Sequence, residues 1–167
     1  MTAKKLDDLF HDTLKDIYFA EKKILVALPK MAKAAQSKEL QAAFKKHEAE
    51  TQKQVQRLEQ VFELIDAKPQ GKTCEATLGI LKEGEEIMEE YKGSPALDAG
   101  LLAAAQAVEH YEISRYGTLR TWADKLGHGK AVKLLQETLD EEEATDQALT
   151  KIAESVVNQE AQSEAAE

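Results

Sequence analysis

The chain has 167 residues with a formal net charge of −9, 31 acidic against 22 basic side chains, and 43% hydrophobic residues. That length fits one domain with a core of its own, and the lone cysteine, Cys74, excludes both a disulfide framework and a thiolate zinc cage. Three prolines and eight glycines argue against a turn-rich β protein, and the acidic balance argues against nucleic acid as a partner while drawing in cations.

The opening stretch, MTAKKLDDLFHDTLKD, scatters charges among its apolar positions. It has neither the apolar core of a signal peptide nor the length of a membrane span, so a cytoplasmic, reduced protein without a membrane partner is expected. From Ala3 to Ala35, Leu6, Leu9/Phe10, Leu14, Ile17, Ile24, Leu28 and Met31 fall at steps of three and four, the period of a helix with one apolar face. Pro29 lies inside that stretch and predicts a kink or a local break. Gln36-Ser37 reads as a turn with Ser37 capping the next helix. That helix carries Leu40, Phe44, His47, Thr51, Gln54, Leu58, Val61/Phe62 and Ile65 to about residue 66.

Ala67-Lys-Pro-Gln-Gly71 breaks the pattern. A shorter helix is expected from Thr73 to Tyr91, then a second break at Gly93-Ser94-Pro95, with Ser94 as cap and Pro95 in the first helical position. The fourth helix runs from Pro95 to Leu126, Gly127-His-Gly129 makes a tight connection, and the fifth runs from Lys130 to Val157. Residues 158–167 form a polar tail expected to fray, leaving 1–157 as one helical domain. The four long helices span roughly 40–50 Å at 1.5 Å per residue. Short turns join them into two antiparallel hairpins, and the intervening segment is long enough to cross back along the bundle. A four-helix bundle with one long crossover is the ferritin-like arrangement.

Acids interrupt the apolar stripes at matching heights. Counted from the turn at 36, Glu21 lies about as far back as Glu50 lies forward, with His47 one helical turn nearer. Counted from the turn at 128, Glu112 and Glu142 match in the same way, and Glu109 with Asp146 forms the next layer. Carboxylates buried at one level cannot all remain charged and unpaired; they must meet water, protons, counter-charges or a bound cation. The pairs His47/Glu50 and Glu109/Glu112 have the i, i+3 spacing that brings two ligands to one helix face. Carboxylate with imidazole suits iron, manganese or zinc. The candidate metal residues are therefore Glu21, His47, Glu50, Glu109, Glu112, Glu142 and Asp146, the last as a ligand or an outer acceptor.

The stretches Leu14-Lys-Asp-Ile-Tyr-Phe-Ala-Glu21, His47-Glu-Ala-Glu-Thr51 with Arg57-Leu-Glu-Gln-Val-Phe62, Glu109-His-Tyr-Glu-Ile113 with Tyr116-Gly-Thr-Leu119, and Leu135-Gln-Glu-Thr-Leu-Asp-Glu-Glu142 resemble the YciE/YciF family of bacterial stress-associated ferritin-like proteins, along nearly the whole chain. The resemblance implies a ferritin-like bundle, a homodimer, and a di-metal site, di-iron or di-manganese, with ferroxidase-type or peroxide-related activity. In ferritins and rubrerythrins, helix two and helix four carry Glu-x-x-His; here Lys53 and Thr145 stand at those spacings.

Blander readings stand beside these. Glu85, Glu86, Glu89, Glu90, Glu141 and Glu143 read as solvated faces, and His11 and His128 as surface residues. His47 reads either as a ligand or as an imidazole bonded to a neighbouring acid, and His110 points to another face. Tyr18, Tyr111 and Tyr116 lie near the acid level, as core residues with satisfied hydroxyls or as relays. Cys74 reads as a small apolar filler. The alternative to redox chemistry on iron or manganese is a non-catalytic dimeric scaffold with a vestigial acid cluster; an iron-storage cage subunit is a third option.

Overall fold

The structure, a computed structural model, describes residues 3–162. Five helices account for the architecture: α1 (Leu6–Ala34), α2 (Lys38–Leu64), α3 (Glu75–Glu90), α4 (Leu97–Lys125) and α5 (Gly129–Ile152). A π-helical turn, Ala153–Val157, extends α5 into a last turn, Asn158–Glu160. Residues 163–167 of the expected tail lie outside the described residues. No helix among the described residues is long and apolar enough to cross a membrane.

α1 pairs with α2 and α4 with α5 as the two predicted hairpins, and the hairpins pack α2 on α5 and α1 on α4. Leu28, Leu40, Phe44, Leu101 and Leu149 are buried towards the α1–α2 turn; Phe10, Phe62, Leu119, Ala131 and Leu135 are buried towards the α4–α5 turn. α3 lies over α1 and α4, so the crossover covers the bundle's own flank, a choice that periodicity left open. It sits close there: a Cβ on Gly100 of α4 would come within 2.7 Å of Ile87 Cγ2 of α3, so only glycine fits without displacing that side chain. The crossover is tied to α1 by Lys72 N–H donating to the Lys15 carbonyl at 3.1 Å.

Two local expectations change, at Pro29 and at the start of α4. α1 runs unbroken through Pro29, whose exposed ring leaves the interrupted part of the ladder facing water. Ser37 caps α2 as expected, accepting from Leu40 N–H at 3.4 Å, but the turn is held chiefly from elsewhere. The buried carboxylate of Asp98, in the first turn of α4, accepts the Gln36 and Ser37 N–H groups at 2.8 and 2.6 Å. α4 starts at Leu97 rather than Pro95, because Ser94 is used in the preceding turn, its hydroxyl taking Ala96 N–H and its carbonyl taking Leu97 N–H. At the far end Gly127, with φ 80°, reverses the chain between α4 and α5.

Candidate metal centre

Midway along the bundle the apolar layers give way to acids from all four long helices. His47 of α2, Glu109 and Glu112 of α4, and Glu142 of α5 are all buried, and one potential ligand atom from each lies within 4.8 Å of the other three. His47 Nε2 is 3.1 Å from a Glu109 oxygen and 3.9 Å from one of Glu142. Glu21 of α1, also fully buried, adjoins this group: its Oε1 accepts a hydrogen bond from the Tyr116 hydroxyl, and its carboxyl is near enough to Glu112 to raise it. Thr51 adds nothing to the pocket, since its hydroxyl donates back to the His47 carbonyl.

Physical chemistry makes this layer unstable as a set of anions. Burial pushes the Glu21 and Glu109 carboxyls up to about 8. For Glu21 the nearby Glu142 adds to the rise, while the Tyr116 hydrogen bond and His47 oppose it. Glu112 and Glu142 are raised well above the ordinary range, first by burial and then by their acidic neighbours. The Tyr116 phenol is raised too, by burial and by Glu21. Without a cation these carboxyls hold their protons to a higher pH than an exposed acid does.

The unpaired atoms point to the other remedy. Glu21 Oε2, both oxygens of Glu112 and of Glu142, Glu109 Oε2 and both His47 ring nitrogens are buried without a hydrogen-bond partner. Leaving one such polar group unsatisfied costs about 1–3 kcal/mol, and more for a charge. Oxygens with one imidazole at mutual distances below 5 Å are the donor set a divalent first-row metal ion accepts. The residues therefore fit such an ion, with His47, Glu109, Glu112 and Glu142 as its cage and Glu21 beside them.

Two of the seven sequence candidates stand apart. Glu50 keeps one oxygen buried and unpartnered, but the other is held at 2.6 Å by Lys46 at the surface, and its side chain is 19% exposed. Asp146, 21% exposed, takes Gln106 Nε2 at 3.0 Å and lies 3.2 Å from the outward-facing His110. Both are at the rim, near enough to Glu109 for their charges to raise it.

Sequence reasoning missed the clamp next to the site. Glu141, read as solvated, accepts a two-pronged bond from Arg57 of α2, both contacts at 2.7 Å, and a further bond from Gln54. Arg57 also reaches Glu137 at 2.6 Å. Burial works to raise Glu141, but the guanidinium holds it below its usual value. The available signal was a cation in the apolar stripe of α2 facing an i, i+4 acid pair on α5. Cys74 is more than a filler: its sulfur meets the Tyr111 hydroxyl at 2.9 Å and Thr77 at 3.3 Å. The tyrosine hydroxyls are satisfied, Tyr18 by Glu59 and Tyr116 by Glu21. His11 and His128, half-buried, lie against Phe62 and Phe10.

Residues 5–162 match the model of a family described as a domain of unknown function, DUF892. Protein YciF of Escherichia coli strain K12 is 45% identical over 166 residues, 99% of this chain and all of the relative. The crystal structure of the E. coli stress protein YciF superposes with a TM-score of 0.89 at 45% identity, covering 93% of this chain and 99% of that one. YcfI of Rhodopseudomonas palustris, described as a candidate structural protein, gives 0.87 at 45% identity over 90% and 96% of the two chains. A protein of Xanthomonas campestris at 22% identity, with a TM-score of 0.69, shares the fold.

Proposed function

Because the chain belongs to the DUF892 family of YciF-like proteins, and because its buried acids lack partners, we propose that it is a ferritin-like metal-binding stress protein. The observation that carries this reading is the set of unpartnered His47, Glu109, Glu112 and Glu142 atoms converging on one buried point. These four residues hold a divalent ion, with iron or manganese the best match to an oxygen-rich shell and zinc a weaker one. When bound, iron or manganese supplies one-electron redox chemistry, as in oxidation by dioxygen or disposal of peroxide.

The chain's own part is preparation. Burial raises Glu109, Glu112 and Glu142, so an arriving ion would compete with protons for them, which makes affinity rise with pH. The surrounding apolar layers exclude water, so the charges that then form act at low dielectric. The Arg57–Glu141 clamp fixes α5 against α2, and with it the separation of Glu142 from His47. A second ion, as in a di-metal centre, would draw on the rim acids Glu50 and Asp146, which Lys46 and His110 meet in its absence.

The second reading, a dimeric scaffold with a vestigial acid layer, draws on Lys53 and Thr145 where related bundles carry histidine, and on the structural role ascribed to the Rhodopseudomonas relative. One experiment separates them. Protein stripped of metal is titrated anaerobically with Fe(II) or Mn(II), then the Fe(II) form is exposed to air and its ferric absorbance followed beside a Glu112→Gln control. Stoichiometric binding with oxidation faster than the control supports the metal reading. Failure to bind either ion leaves the scaffold.

A further inference from the structure

The acid layer contains one hydrogen bond that no packing requirement demands. Tyr116 is fully buried on α4, one turn beyond Glu112, and its hydroxyl donates across the bundle to Oε1 of Glu21 on α1. Glu21 is likewise without exposure, and its second oxygen, Oε2, is buried with no donor. A phenylalanine would fill the same space without carrying a hydroxyl into an apolar interior, so the phenol is informative because of its partner. One carboxylate oxygen is tethered to α4 and the other is left free beside Glu112.

We infer that Tyr116 is a positioning residue: by holding Oε1 of Glu21 it turns that carboxylate into a one-oxygen ligand, presenting Oε2 to a divalent ion held by His47, Glu109, Glu112 and Glu142. A carboxylate without that tether can rotate and chelate through both oxygens, which changes the number and geometry of donors around the ion. Such outer contacts typically tune metal affinity by 10–100-fold. The inference rests on the metal reading and adds the coordination mode of Glu21.

The test uses Co(II), whose visible ligand-field bands report geometry, titrated into the stripped full chain. Four proteins are compared: wild type, Tyr116→Phe, Glu21→Gln and the double variant. Thermal melts of each stripped protein establish that all are folded. The expected result is a Tyr116→Phe dissociation constant roughly tenfold weaker than wild type, with displaced or altered visible bands. In the Glu21→Gln background the same change should shift affinity by less than about twofold, because an amide that accepts from Tyr116 has no second ligating oxygen for that bond to present. Wild-type affinity and bands in Tyr116→Phe would overturn the inference and leave the metal centre intact. An equal loss in both backgrounds would overturn it in favour of a packing role. Wild type that binds no Co(II) would remove the metal reading itself, and this inference with it.

Discussion

Replacing Glu21 with glutamine should make the metal-free protein more stable at neutral pH. The carboxyl titrates near 8 in the fold against an ordinary value of 4.5. An acid raised by folding binds more protons in the native state than in the unfolded state throughout the interval between those values, so stability falls as pH rises across it. Each pH unit removes about 1.4 kcal/mol; from 4.5 to 7 the loss is about 3 kcal/mol for this group. Glutamine has no charge to desolvate, can still accept from Tyr116, and offers an amide donor to Glu112, whose oxygens otherwise have none. For a domain of this size about 3 kcal/mol corresponds to roughly 6–12 °C in Tm. Melts of chelator-treated wild type and Glu21→Gln at pH 5 and pH 7 check this. The variant should gain less than about 1 kcal/mol at pH 5 and the larger amount at pH 7. A gain that is absent, or the same at both pH values, would refute the account of the acid layer as protonated and desolvated.

Other consequences are open to the same assays. Mn(II) or Co(II) at a free concentration 100 times its dissociation constant should stabilise the wild type by about 2.7 kcal/mol, and titrations at pH 6 and pH 8 should show tighter binding at pH 8, since loading displaces protons from Glu109 and its neighbours. Arg57→Ala should cost about 2 kcal/mol, discounted for the partly exposed Glu141 and Glu137, and urea melts would measure it. Asp98→Ala removes two acceptors from the α1–α2 turn and should cost about 2 kcal/mol, with Asp98→Asn costing about half as much because its amide oxygen retains part of the bonding. Lys46→Met frees the outer oxygen of Glu50 and should accelerate Co(II) uptake in stopped-flow mixing while leaving the thermal melt of stripped protein within about 0.5 kcal/mol of wild type.

The helices and the height of the acid layer were legible because both depend on local arithmetic. Period 3.6 placed Leu14, Ile17, Ile24 and Leu28 on one face, and all four are buried. Counting outward from the turns at 36 and 128 set Glu21 level with Glu50, with His47 a turn nearer, and Glu112 level with Glu142; of these, Glu21, His47, Glu112 and Glu142 lie in the buried layer. Rotation about each helix axis was harder to read. Successive residues turn by about 100°, so Glu50 lies about 60° around α2 from His47, and Asp146 about 40° around α5 from Glu142. Both sit at the rim, where Lys46 and His110 meet them. Glu141 is one residue from Glu142 and so about 100° away, which aims it at Arg57 of α2 rather than at water. The Asp98 clamp had no local trace, since its partners are 61 and 62 residues distant.

The same rotation separates the layer into two roles. Residues aimed inward, His47, Glu109, Glu112 and Glu142, have no counter-charge beyond one another, whereas residues a fraction of a turn away are each paired with a cation, Glu141 with Arg57 and Glu50 with Lys46. A fold selected only for stability would extend that pairing inward or replace the inner acids with leucine, as the layers above and below have done with Leu14, Leu58, Leu119 and Leu135. Retaining three unpaired acids, a histidine and a tethered fourth acid in a bundle otherwise packed with apolar side chains is a standing cost to the metal-free protein. A bound cation offsets that cost where the acids sit, which is why stability gained on removing Glu21 and affinity lost on removing it should appear together in one variant.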